Sequence, residues 1–164
     1  MKLTSHYVFT AGILTFINAH FMPFFRAFSL SVIISFISNF IIDSLGHSHS
    51  KNNKINARTP LTHTFERSMA WGSFSSFIIM ALAILNSNIN KQFLIMCIVS
   101  GIISGPSHML LDLFTEKGIY IKKNKKWVRF AVMHLRYNNK TANAIAIITG
   151  IIMIIISYKM MFLF

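Results

Sequence analysis

The sequence has few acidic residues and almost no cysteine. Four Asp and Glu residues stand against sixteen Lys and Arg, and Cys97 is the single cysteine. One thiol can form neither a disulfide within the chain nor a thiolate zinc site, so a metal would need histidine and carboxylate ligands. Charged residues make up 12% of the chain, about half of the roughly 25% that soluble domains carry. The composition therefore excludes an ordinary water-soluble domain.

Long apolar runs take the place of the missing charge. Hydrophobic residues form 54% of the 164 positions, and they are grouped in runs close to the roughly 20 residues that a helix needs to cross a bilayer. The fold class predicted from these runs is all-α, an integral membrane bundle of about five transmembrane helices in a single domain, 1–164. The helices are predicted at 5–20, 24–43, 61–86, 92–114 and 141–160.

Two prolines predict where helices begin. Pro23 separates the first two helices, because the residue before a proline is pushed out of the helical region. Thr59 followed by Pro60 has the pattern of a helix N-cap and first helical residue, which places the start of the third helix there.

The basic residues predict the orientation in the membrane. The predicted crossings put the N-terminus and the loops 44–60 and 115–140 on one side, together with thirteen of the sixteen basic residues. The other side holds only Arg26, Lys91 and Lys159. Because positively charged loops stay in the cytoplasm, the sequence predicts a multi-pass protein of the cell membrane with these loops on the cytoplasmic face.

Residues 125–137 alternate basic and apolar side chains, among them Trp127, Val128 and Phe130. The pattern predicts a short amphipathic helix lying on the membrane surface. Its apolar content and its place between two spans favour membrane lipid as the partner, and no nucleic acid is expected.

The acidic residues lie close to histidines. Asp43 precedes His47 by four residues, and His108 precedes Asp112 by the same spacing, which stacks two side chains on one helical face. His63 and Glu66 are three apart. Ionisable groups in lipid-spanning segments are costly to bury and usually serve a site.

The predicted topology puts these pairs and His6 at the same membrane boundary, so they can converge on a metal. Imidazole and carboxylate groups favour zinc, with manganese or iron as alternatives. The predicted catalytic groups are Glu66 as general base and Arg58 as the partner of a substrate phosphate. The predicted metal ligands are His6, Asp43, His47, His63, His108 and Asp112.

The order of these elements resembles a known family. His6 is followed by the Asp43 to His47 spacing, by Arg58-Thr-Pro-Leu-Thr-His63, and by a stretch from Ser107 to Ile119 that contains His108 and Asp112. Over roughly residues 1–120 this resembles the predicted membrane-bound metal-dependent hydrolases, the group that includes LexA-regulated inner-membrane proteins, and looks most like its archaeal branch. The resemblance implies a metal site and hydrolysis.

Three functions remain open from the sequence. The leading one is a metal-dependent hydrolase that acts through metal-activated water on a phosphate-containing or lipid-linked, anionic substrate. A metal transporter or sensor would use the same ligands without chemistry. A structural membrane protein would use the polar cluster only to fix helix packing.

Overall fold

The structure is a computed structural model that describes residues 1–48, 57–85 and 90–162. Its five helices are α1 (Leu3–Asn18), α2 (Phe24–Gly46), α3 (Phe65–Ile84), α4 (Lys91–Asp112) and α5 (Lys140–Met160). Two short antiparallel pairs join them, β1 (His47–Ser48) with β2 (Ala57–Arg58), and β3 (Ile119–Lys123) with β4 (Lys126–Phe130). The predicted five-helix bundle is confirmed. Residues 49–56 of the predicted 44–60 loop lie outside the described residues.

Four of the helices, α2 to α5, are long and apolar enough to cross a membrane, which makes this a multi-pass membrane protein. The first helix differs from the predicted span 5–20. It has 16 residues, a length of about 24 Å, and falls short of the roughly 20 residues of a full span. It packs mainly against α2 and α5, and its buried face is largely polar.

Small residues let α3 and α4 approach closely. A Cβ atom on Gly105 would run into the backbone of Ser68, and one on Gly101 would meet the side chain of Ser76. Apolar side chains gain little by leaving lipid for a helix interface, so close backbone contact of this kind is what holds membrane helices together. The contact fixes the end of α4 beside the start of α3.

The third helix begins later than Thr59 and Pro60 predict. Its N-cap is Thr64, whose hydroxyl accepts a hydrogen bond from the Arg67 backbone N–H at 3.2 Å. The Thr59 N–H instead donates to the Gly46 carbonyl at 2.8 Å, beside the β1–β2 pair. Residues 59–64 therefore form a connecting turn before the helix, and the prediction of helix from residue 61 is wrong.

The predicted amphipathic helix over 125–137 is also wrong, since β4 occupies its first half as one strand of a hairpin. Asn124 and Lys125 form the turn with φ values of 49° and 64°, the conformation that two-residue hairpin turns require and that asparagine adopts readily. The residues on either side of the turn, Ile121 and Val128 among them, are strong strand formers. The alternation of basic and apolar residues over 125–137 had indicated an amphipathic helix instead of this hairpin.

Candidate metal centre

Four segments that are distant in sequence meet at one end of the bundle. These are the start of α1, the end of α2, the turn before α3 and the end of α4. They bring together a set that we call the acid–histidine cluster: His6, Asp43, His63, His108 and Asp112. All are fully buried except Asp43, whose side chain is 20% exposed. The predicted convergence is confirmed for these five residues, and the cluster opens to its surroundings beside Asp43.

Within the cluster, four atoms face one another across a small gap. The His108 Nε2 atom lies 3.2 Å from Asp112 Oδ2 and 3.5 Å from Asp43 Oδ1. The His63 Nε2 atom lies 3.6 Å and 3.7 Å from the same two oxygens. Ligands at 2.0–2.1 Å from a tetrahedral zinc ion are separated from one another by about 3.3–3.4 Å. The four histidine–carboxylate distances, 3.2–3.7 Å, are therefore close to the separation of ligands that share one zinc ion.

Hydrogen bonding fixes which nitrogen of His108 faces the gap as an acceptor. Its Nδ1 lies 2.6 Å from the Oδ1 atom of Asn39. The amide nitrogen of Asn39 donates to the Ser35 carbonyl at 2.7 Å, so the amide oxygen is the atom turned to His108. An amide oxygen only accepts, so Nδ1 of His108 carries a proton, and in the neutral ring Nε2 is the atom with the lone pair.

The same logic applies to His63. The Thr62 hydroxyl donates its single proton to the Ile42 carbonyl at 2.9 Å, so it accepts from the His63 Nδ1 atom at 2.8 Å. The Nε2 lone pair of His63 then faces the two carboxylates. Burial lowers the pKa of His63 to about 4, and the ring is therefore neutral near pH 7 and able to bind a metal.

The gap is thus lined by two imidazole lone pairs and two carboxylate oxygens. Among the described residues, Nε2 of His63, Nε2 of His108 and Oδ2 of Asp112 have no hydrogen-bond partner although they are buried. Acceptors left facing one another without a donor are expensive in a protein interior. A divalent cation removes this cost, and these residues can hold one.

Asp112 uses its second oxygen for Arg58. The guanidinium Nη2 lies 2.6 Å from Asp112 Oδ1, while Nη1 donates to the Thr115 hydroxyl at 3.2 Å and to the Gly118 carbonyl at 2.9 Å. Arg58 was predicted to neutralise a substrate phosphate. The structure places it instead as the buried partner of Asp112, where it orients the carboxylate toward the gap.

His6 completes the cluster from the side. Its ring stacks on that of His108 with centroids 3.9 Å apart, and its Nε2 atom lies 3.3 Å from Asp112 Oδ1. Neither ring nitrogen of His6 has a hydrogen-bond partner among the described residues. With His108 and Asp112 it forms a second group of possible ligands, although Arg58 already lies against the oxygen that His6 approaches.

Two predicted site residues lie outside the groups of possible metal ligands, although the His47 ring packs against that of His63 with centroids 5.4 Å apart. The helix α2 ends at Gly46, so His47 leaves the helical face of Asp43, and its Nδ1 contacts the Asp43 carbonyl at 2.6 Å. Glu66 is exposed in the first turn of α3 and lines a separate surface pocket with Arg67 and Trp127. Because His63 precedes the helix, the shared face predicted for His63 and Glu66 does not form.

Sequence reasoning missed the residues that orient the histidines. Asn39 and Thr62 are both fully buried and set the tautomers of His108 and His63. Metal-binding histidines usually donate their other nitrogen to such a partner. For Asn39, a lone amide in an apolar span was a usable signal, because a polar group in lipid needs a partner. The sequence carried no comparable signal for Thr62.

Asn39→Leu is expected to lower metal affinity by about 10- to 100-fold, because His108 loses the partner that orients its ring. Competition with a zinc chelator measures the change. The matched control is Asn18→Leu, since Asn18 is equally buried and bonds to Ser31 and Ser100 rather than to the cluster. Equal effects of the two substitutions would assign the loss to general damage of the bundle.

Residues 1–111 match the family described as protein of unknown function (DUF1286). The match covers more than half of the chain, so the chain belongs to this family. It includes every cluster residue except Asp112, which directly follows the matched region. No curated protein and no solved structure matches the chain.

Proposed function

We propose that this member of the DUF1286 family is a membrane-bound metalloprotein that holds one zinc ion between His63, His108, Asp43 and Asp112. The observation that supports it is the set of four acceptor atoms, 3.2–3.7 Å apart along the four histidine–carboxylate edges, with both histidine tautomers set by hydrogen bonds. A mixed set of imidazole nitrogens and carboxylate oxygens favours zinc over magnesium or calcium, which prefer six or more oxygens. Manganese and iron are the competing ions.

The reaction that we propose is hydrolysis of a phosphate-containing or lipid-linked substrate. A zinc ion held there would supply a Lewis acid, and a water that joined the four protein ligands as a fifth would have a lowered pKa. Access is from the side of Asp43, the one cluster residue with an exposed fraction, 20%. Burial and the charge of Arg58 lower the pKa of Lys117, whose electrostatic partners also include Asp112 and Asp43. A cation that interacts with these carboxylates favours an anionic substrate. The resemblance to membrane-bound metal-dependent hydrolases supports the same assignment.

A second candidate is metal or proton transfer across the bundle, and one feature favours it. Buried hydrogen-bonded polar groups continue along the helices away from the cluster. Thr10 and Ser107 bond at 2.9 Å, and further along Asn18 bonds to Ser31 at 3.0 Å and to Ser100 at 2.9 Å. A transporter would use such a path, whereas a hydrolase would need it only for helix packing.

Metal content and hydrolysis of the purified full chain separate these functions. Wild-type protein dialysed against zinc is expected to retain one ion per chain and to release phosphate or nitrophenol from phosphatidic acid or bis(p-nitrophenyl) phosphate. A transporter would bind zinc, hydrolyse neither probe, and pass zinc into sealed vesicles. Protein that retains no transition metal after dialysis near neutral pH would contradict both the hydrolase and metal transfer.

We also propose that the cluster faces the cytoplasm, on the thirteen-to-three division of basic residues. Asn138 is exposed in the β4–α5 connection and carries no charge. A cysteine introduced by Asn138→Cys is expected to resist a membrane-impermeant thiol reagent in intact cells and to react after permeabilisation. Buried Cys97 is the background. Labelling in intact cells would place the cluster on the outer face.

A further inference from the structure

The β3–β4 hairpin has two unlike faces, because residues paired across an antiparallel ladder point to the same side. Tyr120 pairs with Arg129, and Lys122 pairs with Trp127. This face turns toward the bundle. The Tyr120 hydroxyl donates to the Arg58 carbonyl at 2.9 Å, and the Arg67 guanidinium lies 5.0 Å from the centre of the Trp127 ring.

The other face, which we call the outer face, is apolar, and beyond Ile119, which packs with Ile42 and Met109, it is exposed. Ile121 pairs with Val128 and Ile119 with Phe130. Ile119 is buried, but Ile121, Val128 and Phe130 are 38%, 44% and 46% exposed. Lys123 and Lys126 pair at the tip of this face, next to the turn. The outer face therefore has an apolar part near the bundle and two cations at its end.

The connections at both ends hold the hairpin near the membrane boundary. β3 begins seven residues after α4 ends, and α5 begins ten residues after β4 ends. Backbone hydrogen bonds from Val132 to Leu113 and from Leu135 to Phe114 tie the outgoing chain to the end of α4. The hairpin cannot move far from the level at which α4 and α5 leave the lipid.

We propose that the outer face of the hairpin binds the anionic phospholipid surface of the membrane, with Val128 and Phe130 among the headgroups and the tip lysines against lipid phosphates. Between 119 and 130 the hairpin has five basic residues and no acidic one. Such a surface attracts anionic lipid, and it repels a second copy of itself. Apolar and aromatic side chains beside lysines are typical of a segment that lies at a membrane interface.

A pair of single-tryptophan proteins tests the contact face by face. The chain has two tryptophans, Trp71 and Trp127. In a Trp71→Phe, Trp127→Phe background, Val128→Trp reports on the outer face, while Trp71→Phe alone leaves Trp127 to report on the inner face. Each full-length protein is placed at one copy per nanodisc. The discs contain phosphatidylcholine alone, or equal parts of phosphatidylcholine and phosphatidylglycerol.

In the mixed discs, the outer-face reporter is expected to be quenched by lipids brominated close to the headgroup and protected from aqueous iodide. The Trp127 reporter should be less quenched by brominated lipid. Each lysine near an anionic surface strengthens binding by about five-fold, so Lys123→Gln with Lys126→Gln should weaken the docked state by roughly 30-fold. The ratio of lipid quenching to iodide quenching measures this shift.

The matched control is Lys91→Gln with Lys159→Gln, which removes the same charge from the opposite end of the bundle and should leave the ratio unchanged. Iodide quenching of the outer-face reporter in both kinds of disc would overturn the proposal. Equal lipid quenching with and without phosphatidylglycerol would overturn its anionic part. Lipid quenching or iodide protection that requires two copies per disc would assign the face to self-association instead.

Discussion

His108→Ala is expected to abolish zinc retention, with an affinity loss greater than the about 10- to 100-fold that removal of a supporting residue costs. His108 belongs to both groups of possible ligands, so its loss reduces each group from three residues to two. Hydrolysis should be lost with the metal. Zinc content after dialysis, measured by elemental analysis, checks the prediction.

The control for this substitution is His20→Ala. The His20 ring bonds to the Phe16 carbonyl at 2.7 Å, at the far end of α1 from His6. The control substitution also removes one imidazole from the bundle, but away from the cluster, so zinc retention should be unchanged. If His108→Ala protein inserts normally and still holds one zinc ion per chain, the proposed centre does not exist.

Asp112→Ala is expected to lower the free energy of unfolding by about 3–5 kcal/mol, because it leaves the charge of Arg58 buried without its carboxylate. Arg58 is 6% exposed and Asp112 is fully buried, with 2.6 Å between their atoms. Unfolding in mixed micelles of rising dodecyl sulfate content, with a chelator present, measures the change apart from any metal effect.

Asp43→Ala is the matched comparison, since it also removes a cluster carboxylate. Asp43 faces the gap beside the histidines and is partly exposed, and its removal leaves no buried guanidinium without its carboxylate. The expected change in unfolding free energy is near zero or stabilising, whereas zinc retention is lost in both variants. Equal destabilisation by the two substitutions would contradict the structural role given to the Arg58 pair.

The spacing of ligand candidates was informative where the chain is helical throughout. His108 and Asp112 are four apart inside α4, and both point into the cluster as predicted. The same spacing misled for Asp43 and His47, because α2 ends between them at Gly46. A short spacing reports a shared face only when no helix end interrupts it, and helix ends depend on contacts made elsewhere, such as the Thr59 N–H with the Gly46 carbonyl.

Apolar run length and charge placement, both readable from the sequence, were enough to predict a helical membrane bundle and the end at which the acids and histidines collect. Lipid offers no hydrogen-bond partner to backbone N–H and C=O groups. A long apolar run in the membrane therefore forms a helix, which satisfies these groups internally. The tertiary structure decided which neighbour each ionisable group received. Arg58 lies against Asp112, and Asn39 and Thr62 set the histidine tautomers. The Arg58–Asp112 and Asn39–His108 pairs join residues 54 and 69 positions apart, and they depend on how the helices pack, which no local pattern encodes.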